Sequence, residues 1–289
     1  MDCELAVKID VDTLKGYMET MPRLLDLLGE RKIRASVFFS TGPENSSGML
    51  QKILQKGLFA KILRQETPPI VFSNPDIMKR TLNEGHDCGI RRWDGVRWKE
   101  TLPKMSREEI RQDLTKSVEV FSGVAGTPPQ CASSPGFQVS VDSLTVQDEL
   151  GFVYCSDVRG KYPFLPQMGG VVFRTLQIPA TLPPFDGLRQ MGMDVETVHD
   201  RYLDLLEPGL NVCTIRGEKY DDAADALFRK FFDCCIEGEI PFVTLRDVAL
   251  RHRGRTDLGI CDVGLESVPG FAGQVGLQQV GLQKEVPLP

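Results

Sequence analysis

Histidine is scarce in this chain, and this scarcity limits the chemistry that the sequence can support. Only three histidines, His86, His199 and His252, occur among 289 residues. They leave few imidazole ligands with which to complete a metal site. None lies close in sequence to Ser133 and Ser134, which argues against a serine hydrolase triad.

Paired cysteines are also missing, although the chain has eight cysteines. No two of them form a CxxC pair, and several lie in apolar runs, where a thiol behaves as a small hydrophobe. This pattern argues against structural disulfides and against a cysteine zinc site. No glycine loop of the common phosphate-binding types occurs either.

The chain lacks a long apolar run and an excess of basic charge. No stretch approaches the roughly twenty uncharged apolar residues of a membrane-spanning helix, and the N-terminus lacks the order of a secretory signal. We therefore expect a cytoplasmic location. The net charge of −6 and the pI near 5.3 argue against a general nucleic-acid binder.

Strand-like runs alternate with helical patterns along the chain. The runs, rich in branched or aromatic residues, lie near 5–10, 34–40, 86–90, 130–133, 152–155, 171–178, 211–216 and 241–244. The clearest helix begins at a predicted capping box of Ser106 and Glu109 and ends at Gly123 and Gly126. This order predicts an α/β fold with a mainly parallel sheet, either open and doubly wound or closed into a barrel.

The composition of the chain changes near residue 253. Residues 1–253 carry the alternating pattern and are predicted to form one barrel domain. From Gly254 onward the chain is rich in Gly, Gln, Val and Pro and has little helical or strand period. We therefore predict that residues 254–289 form a flexible C-terminal tail.

Two carboxylates, Asp10 and Asp12, end the first apolar run. Because they are two residues apart, an extended backbone aims both side chains to the same side. Two converging carboxylates repel each other unless a cation, a proton or hydrogen-bond donors compensate them. The carboxyl ends of parallel strands are also where reactive groups collect, so we expect the functional site here.

Several stretches of the sequence resemble the polysaccharide deacetylase superfamily, and more narrowly the deformylases of undecaprenyl-phosphate-linked formamido-arabinose. The matching stretches are Ile9 to Thr13, Ile33 to Asn45, Gly89 to Asp94, Tyr154 to Gly160, Gln177 to Pro183 and Thr214 to Glu218. They follow in order over roughly residues 4–250, which is more specific than a single motif. The resemblance implies a distorted (β/α) barrel of about seven strands.

The resemblance implies roles for the acidic pair. In this family the first aspartate is the general base on a metal-bound water, and the second binds a divalent metal together with two histidines. Asp10 would be the equivalent of the base and Asp12 the one retained metal ligand. Arg91 and Gly95 stand at the two histidine positions.

Two further family positions are also changed. Arg216 stands where the family has a histidine that acts as general acid, and Gln138 stands where an arginine usually braces the base. An arginine cannot bind a metal, because its guanidinium stays protonated and has no lone pair to offer. We hypothesise that Arg91, with Arg216 or Arg92 nearby, replaces the metal by forming a salt-bridge cluster with the two aspartates.

The resulting interpretation of the site assigns Asp10 and Arg216 to catalytic positions. The candidate substrate-binding residues are Asp12, Arg91, Arg92, Trp93, Gln138 and Asp157. We expect no cofactor. A divalent metal would require a site that the family does not have, with Asp94 and Asp157 as additional oxygen ligands.

The segment from residue 46 to 65 combines four basic residues with apolar ones and has no acidic residue. One interpretation is an interfacial helix pair that rests on an anionic membrane surface and admits a lipid-linked sugar. The other is an ordinary helix that packs its apolar face on the barrel. A peripheral location at the inner face of the membrane follows from the first.

Two classes of function agree with these observations. The first is a non-hydrolytic member that binds an amino sugar or an undecaprenyl-linked sugar, or regulates an active relative. The second is a carbohydrate deacetylase or deformylase, a hydrolase of carbon–nitrogen bonds, with rebuilt metal ligands or a metal-free mechanism. We favour the first, because catalysis without the metal must recover many kcal/mol from other interactions.

Overall fold

The computed structural model of this protein describes residues 3–44, 68–255, 257–269, 271 and 273–280. The basic segment at residues 46–65 lies outside the described residues, so both interpretations of it stay predictions. Within the described ranges, no helix has the length and apolar character needed to cross a membrane.

A curled sheet of parallel strands forms the centre of the fold. The strands of the described chain are β1 (Cys3–Val11), β2 (Ser36–Phe39), β3 (Asp87–Ile90), β4 (Cys131–Ala132), β5 (Tyr154–Cys155), β6 (Leu165–Met168), β7 (Val171–Val172), β8 (Leu176–Gln177), β9 (Gly209–Arg216), β10 (Phe242–Val243), β11 (Ile260–Ser267) and β12 (Gln274–Gln279). The main sheet has the order β8-β5-β4-β3-β2-β1-β9, and β10 pairs with the first half of β1. All of its neighbouring strands are parallel, which confirms the predicted mainly parallel sheet.

Helices connect most of these strands. They are α1 (Met21–Glu30), α2 (Pro75–Asn83), α3 (Gly95–Thr101), α4 (Arg107–Ala125), α5 (Val141–Leu150), α6 (Phe185–Gln190), α7 (Val195–Asp204), α8 (Asp222–Glu237) and α9 (Leu245–His252). The predicted capping box precedes α4, where the Ser106 hydroxyl accepts from the Glu109 amide and the Glu109 side chain accepts from the Ser106 amide. The helix ends at Gly126, which adopts φ 75° and so terminates the turn without steric cost.

The two ends of the main sheet meet and close it. The amides of Thr181 and Leu182, just after β8, donate to the carbonyl oxygen of Val212 on β9 at 3.3 and 3.1 Å. The Val212 amide in turn donates to the Thr181 hydroxyl at 2.8 Å. The sheet is therefore a distorted barrel, and the carboxyl ends of its strands open at one mouth.

β1 shows why the acidic pair faces the inside of this barrel. Val7, Ile9 and Val11 are fully buried and pack against the helices. Side chains alternate along a strand, so Lys8 and Asp10 point to the opposite, inner face. The Lys8 ammonium donates to the Ser156 carbonyl oxygen at 2.7 Å inside the barrel.

A second, smaller sheet corrects the predicted tail. Its order is β12-β11-β6-β7, in which β11 pairs antiparallel with β12 and parallel with β6. Residues 260–267 and 274–279 are thus strands, and Val263 and Val275 are buried. The expectation of a flexible segment was wrong for these residues, because their pairing partner β6 is distant in sequence and gives no local signal.

Gln278 joins β12 to the chain that follows β5, and it gives a test of this second sheet. Its Oε1 accepts from the Lys161 amide at 2.7 Å, and its Nε2 donates to the Tyr162 carbonyl oxygen at 3.3 Å. We expect Gln278→Ala to lower the free energy of unfolding by about 1–3 kcal/mol, because it removes these hydrogen bonds from part-buried backbone groups. Urea denaturation measures this effect.

Gln279 is the matched control. Its exposed amide donates to Glu266 at 2.6 Å. We expect Gln279→Ala to change the free energy of unfolding by less than about 0.5 kcal/mol. Equal effects of the two substitutions would contradict a role of β12 in holding the domain together.

Candidate functional site

Asp10 and Asp12 lie together at the mouth of the barrel. Asp10 is near the end of β1, in register with Phe38 on β2 and Arg216 on β9, and Asp12 directly follows the strand. Their side chains are only 4% and 10% exposed. The structure therefore has both carboxylates on one side of the strand, as predicted, and in a place where their charge needs compensation.

Arg91 supplies that compensation. It directly follows β3, and its guanidinium lies between the two carboxylates. Its Nε donates to Asp12 Oδ1 at 2.5 Å and its Nη2 to Asp12 Oδ2 at 3.1 Å, while its Nη1 lies 2.6 Å from Asp10 Oδ2. This forked geometry, with a side chain only 2% exposed, confirms the predicted contact of Arg91 with the acidic pair. We call the three residues the arginine clamp.

Ser133, directly after β4, supports the arginine clamp through hydrogen bonds. Its hydroxyl accepts from Arg91 Nη1 at 3.0 Å and donates to Asp10 Oδ1 at 3.2 Å. Ser40, which follows β2, donates to Asp12 Oδ1 at 3.1 Å. The clamp is thus held by residues that follow or end four neighbouring strands of the barrel.

The charges of the clamp change the acidity of its members. Burial opposes ionisation of Asp12, but the charges of Arg91 and Lys99, together with hydrogen bonds from Arg91 and Ser40, outweigh it and hold the pKa of Asp12 well below its ordinary value. Burial also opposes the charge on Arg91, and Asp10 and Asp12 together raise its pKa above the ordinary value. Asp12 and Arg91 are therefore both ionised in the neutral pH range.

Arg92 lies deeper in the barrel and serves a different purpose. Its side chain and that of Asp157 are both fully buried, with Nη2 3.4 Å from Asp157 Oδ1. Its guanidinium also lies 4.1 Å from the ring centroid of Trp98. The predictions that Arg92 and Asp157 bind substrate are corrected, because neither side chain reaches the surface of a pocket.

Asp157 has further partners inside the protein. Its Oδ2 accepts from Gln147 Nε2 at 2.7 Å and from Gln177 Nε2 at 3.3 Å. This hydrogen bonding explains how a carboxylate is tolerated at zero exposure. It also leaves Asp157 no part in an oxygen-ligand site with Asp94.

Arg216 and Gln138 do not join the arginine clamp either. Arg216 lines a small cavity together with Asp10, Asp12 and Arg91, but its Nη2 pairs with Asp186 on α6 at 3.0 Å. Gln138 donates its side-chain amide to the carbonyl oxygen of Gln274 on β12, so it ties the second sheet to the barrel. The hypothesis that Arg216 or Arg92 assists Arg91 at the aspartates is therefore not supported by the contacts.

A pocket of about 230 Å³ adjoins the arginine clamp. Its lining consists of Asp12, Thr13, Ser40, Gly42, Pro43, Glu44, Ile70, Trp93, Asp94, Gly95, Val96, Lys99 and Glu218. Trp93, a predicted substrate-binding residue, is half-buried in this wall. Lys99 Nζ reaches Asp12 Oδ2 at 3.5 Å from the same wall.

Glu218 is a pocket residue that was not among the predicted site residues. It lies in the turn Gly217–Lys219 directly after β9, and its Oε2 is buried with no hydrogen-bond partner among the described residues. Burial, and then the negative charge of Asp12, raise its pKa to about 7. Glu218 belongs to the matching stretch that ends the resemblance, but nothing in the local sequence indicates that its carboxyl is buried beside another.

Among the described residues, no group of three or more His, Cys, Asp or Glu side chains is arranged to hold a metal ion. Both carboxylate oxygens of Asp12, the retained ligand position, accept hydrogen bonds from Arg91.

Known proteins resemble this chain in sequence and in fold. The family model described as polysaccharide deacetylase matches residues 9–155. Among curated proteins, the chain is 29% identical over 261 residues to the "Probable 4-deoxy-4-formamido-L-arabinose-phosphoundecaprenol deformylase ArnD" of Shewanella sediminis, with 84% of each chain covered.

Two solved structures share the fold. The first, a "putative polysaccharide deacetylase" from Mycobacterium smegmatis, has a TM-score of 0.63 and 16% identity over 87% of this chain and 90% of that chain. The second, a CE4 family pseudoenzyme from Bacillus anthracis, has a TM-score of 0.57 and 12% identity over 90% of this chain and 69% of that chain. These matches confirm the predicted fold class, a distorted barrel of the polysaccharide deacetylase superfamily.

The arginine clamp predicts a large effect of removing Arg91. We expect Arg91→Ala to lower the free energy of unfolding by about 3–5 kcal/mol, because it leaves two buried carboxylates without their cation. Arg97→Ala is the control, since Arg97 is 46% exposed in its pair with Glu109 and should contribute less than about 1 kcal/mol. Chemical denaturation at pH 7 compares the two, and similar losses would contradict the compensating role of Arg91.

The raised pKa of Glu218 predicts a pH dependence of stability. The folded protein keeps the Glu218 proton up to about pH 7, whereas the unfolded chain loses it near the ordinary value of 4.5. The stabilising contribution is therefore complete at acidic pH and is lost as the pH rises from about 4.5 to 7.

Glu218→Gln cannot ionise and should not show this loss. Between pH 5 and pH 8, we expect the free energy of unfolding to fall less in Glu218→Gln than in the parent, by on the order of 2 kcal/mol. Glu237→Gln, on an exposed part of α8, is the matched control. Parallel pH profiles of the parent and Glu218→Gln would show that the Glu218 carboxyl is not buried in this way.

Proposed function

We propose that this chain, which belongs to the polysaccharide deacetylase family, binds an amino sugar at the mouth of its barrel without the metal-dependent hydrolysis typical of that family. The observation that carries this proposal is the position of the Arg91 guanidinium between Asp10 and Asp12. Its fixed positive charge pairs with both aspartates, at the place where the family mechanism needs a divalent cation.

The residues present do not fit the divalent metal that the resemblance implies. Arg91 and Gly95 supply no lone pair at the two histidine positions, and Arg91 engages both oxygens of Asp12. In the family, the metal lowers the pKa of a bound water from about 15.7 toward about 7. A guanidinium offers the charge of a cation but cannot bind and ionise a water in this way, so the site loses its nucleophile.

The proposed ligand follows from the relative and from the pocket beside the arginine clamp. The named relative is a deformylase of a formamido-arabinose attached to phosphoundecaprenol. The pocket has room for one small ring, being below the roughly 300–1,000 Å³ typical of sites for drug-sized molecules. Trp93 gives it an aromatic wall on which the apolar face of a sugar can pack. Contact with a membrane through residues 46–65 stays a prediction.

An active amide hydrolase that removes a formyl or acetyl group is the second candidate function. Glu218 favours it, because a carboxyl with a pKa of about 7 beside Asp12 can hold or release a proton near neutral pH. Asp10 is less suited to act as a base, since its oxygens are engaged by Arg91 and Ser133. We therefore place the hydrolase second.

Restoring the family's histidines tests the proposal. The variant carries Arg91→His, Gly95→His and Arg216→His. The geometry suits this change, because a Cβ added at Gly95 lies 4.0 Å from Asp12 Oδ1, and Arg216 lines the same cavity as both aspartates. We expect the variant to take up about one zinc per chain and to release formate from an N-formyl amino sugar, which the parent does not.

A matched control has Arg97→His in place of Gly95→His. Arg97 pairs with Glu109 at the surface, so this control carries the same number of new histidines without completing the site. We expect no bound zinc and no hydrolysis from it. Formate release by the parent protein, abolished by a chelator, would overturn the proposal in favour of a metal-dependent enzyme, and release that survives the chelator would favour the metal-free hydrolase.

A further inference from the structure

The pocket beside the arginine clamp carries an excess of negative charge. Among the lining residues that the structure describes, four are acidic, Asp12, Glu44, Asp94 and Glu218, and one, Lys99, is basic. Adding Asp10 and Arg91, which lie next to the pocket, leaves this balance unchanged because their charges cancel. With all carboxyls ionised, the pocket therefore attracts a cation.

The carboxylates of this lining differ in whether the protein supplies hydrogen-bond donors to their oxygens. Asp12 accepts hydrogen bonds from Arg91 and Ser40 and lies near Lys99. Glu44 accepts from the Leu14 amide at 3.3 Å, and Asp94 caps α3 by accepting from the Arg97 amide at 2.9 Å. These three side chains have donors within the protein.

Glu218 is the exception among the described lining residues. Its Oε2 is buried and has no hydrogen-bond donor, although Glu218 forms part of the pocket wall. A buried carboxylate oxygen without a donor is costly, and a ligand that brings both a donor and a positive charge removes that cost. The protein thus leaves one hydrogen-bond acceptor, Glu218 Oε2, to which a ligand can donate.

The space beside Asp12 comes from residues without bulk. Gly95 has no side chain to enter the pocket, and its nearest neighbours beyond the adjacent chain are Pro135 and Asp12. Gly42 lies so close to Trp93 that an added Cβ would lie 2.0 Å from the Trp93 carbonyl oxygen. This contact holds the loop after β2 against Trp93 and fixes the opposite wall.

We propose that this pocket selects a sugar that carries a free, protonated amine over the same sugar with its nitrogen acylated, and that Glu218 receives the ammonium. This inference rests on the proposed function, since it specifies the ligand of the same site. Acylation removes the positive charge and two of the three N–H donors and adds bulk. The formamide therefore offers Glu218 a single uncharged donor and gains nothing from the acidic lining.

Calorimetric titration with two probes tests the selection. The probes are 4-amino-4-deoxy-L-arabinose and its N-formyl derivative, each added to the full chain at pH 7.5 and low salt. We expect the amine to bind at least tenfold more tightly than the formamide. Glu218→Gln should weaken the amine at least tenfold and leave the formamide unchanged, while Glu237→Gln, the exposed control, should change neither.

A second variant should change the amine affinity in the opposite direction, and this test holds even if Glu218→Gln does not fold. Lys99→Gln removes the one basic side chain among the described lining residues, so we expect it to strengthen amine binding severalfold. This gain should shrink at high salt, because screening weakens the interaction between the pocket charges and the ligand.

The outcomes separate this inference from the proposed function. Equal or tighter binding of the formamide, or an unchanged amine affinity in Glu218→Gln, would overturn the selection and leave a sugar-binding protein. Binding of neither sugar would overturn both. Calcium or magnesium chloride that binds alone and displaces the amine in a Glu218-dependent way would show a metal site instead.

Discussion

The Arg91 guanidinium lies between two buried carboxylates, and the rest of the barrel mouth is arranged around that contact. Unit charges of the same sign about 4 Å apart repel by roughly 4 kcal/mol at the effective dielectric constant near a protein surface. Asp10 and Asp12 converge at the end of one strand, so a cation, a proton or hydrogen-bond donors must compensate their charges. An arginine meets this need permanently, since it cannot lose its proton at any pH at which the fold survives.

The neighbouring residues make the arrangement rigid. Ser133 links Arg91 to Asp10 through its hydroxyl, and its carbonyl oxygen accepts from Arg92 at 3.3 Å. Arg92 also donates to the carbonyl oxygen of Arg91, and Asp157 neutralises it deeper in the barrel. Arg91 and Arg92 are consecutive in sequence but neutralise carboxylates at different depths, Arg91 at the mouth of the barrel and Arg92 in its interior.

Local pattern was enough to predict part of this site. Alternation along β1 predicted the shared side of Asp10 and Asp12, and the alternating order of strands and helices predicted the parallel sheet. Both depend on residues near one another in sequence. The contact with Arg91 was predicted from the family resemblance, which puts Arg91 at a metal-ligand position, and from the fit of a forked donor to carboxylates.

Other features depend on contacts that sequence does not encode locally. Arg216 lies in register with Asp10, yet its side chain pairs with Asp186 on α6. Tertiary packing decides which of these two carboxylates the arginine contacts. Arg92 and Asp157 were predicted to bind substrate, but their side chains are fully buried. Glu218 becomes unusual only through burial beside Asp12, and β11 becomes a strand only through its pairing with β6.

We propose that the arginine clamp and the buried Glu218 oxygen without a donor make a site that holds a cationic sugar and does not activate water. The most direct measurement is an anomalous difference map, at the zinc absorption edge, from crystals of the unaltered protein grown with zinc chloride. We expect no anomalous peak between Asp10 and Asp12, and Arg91 forked on Asp12. A peak within about 2.0–2.2 Å of those carboxylate oxygens, with Arg91 turned away, would contradict the replacement of a metal by arginine.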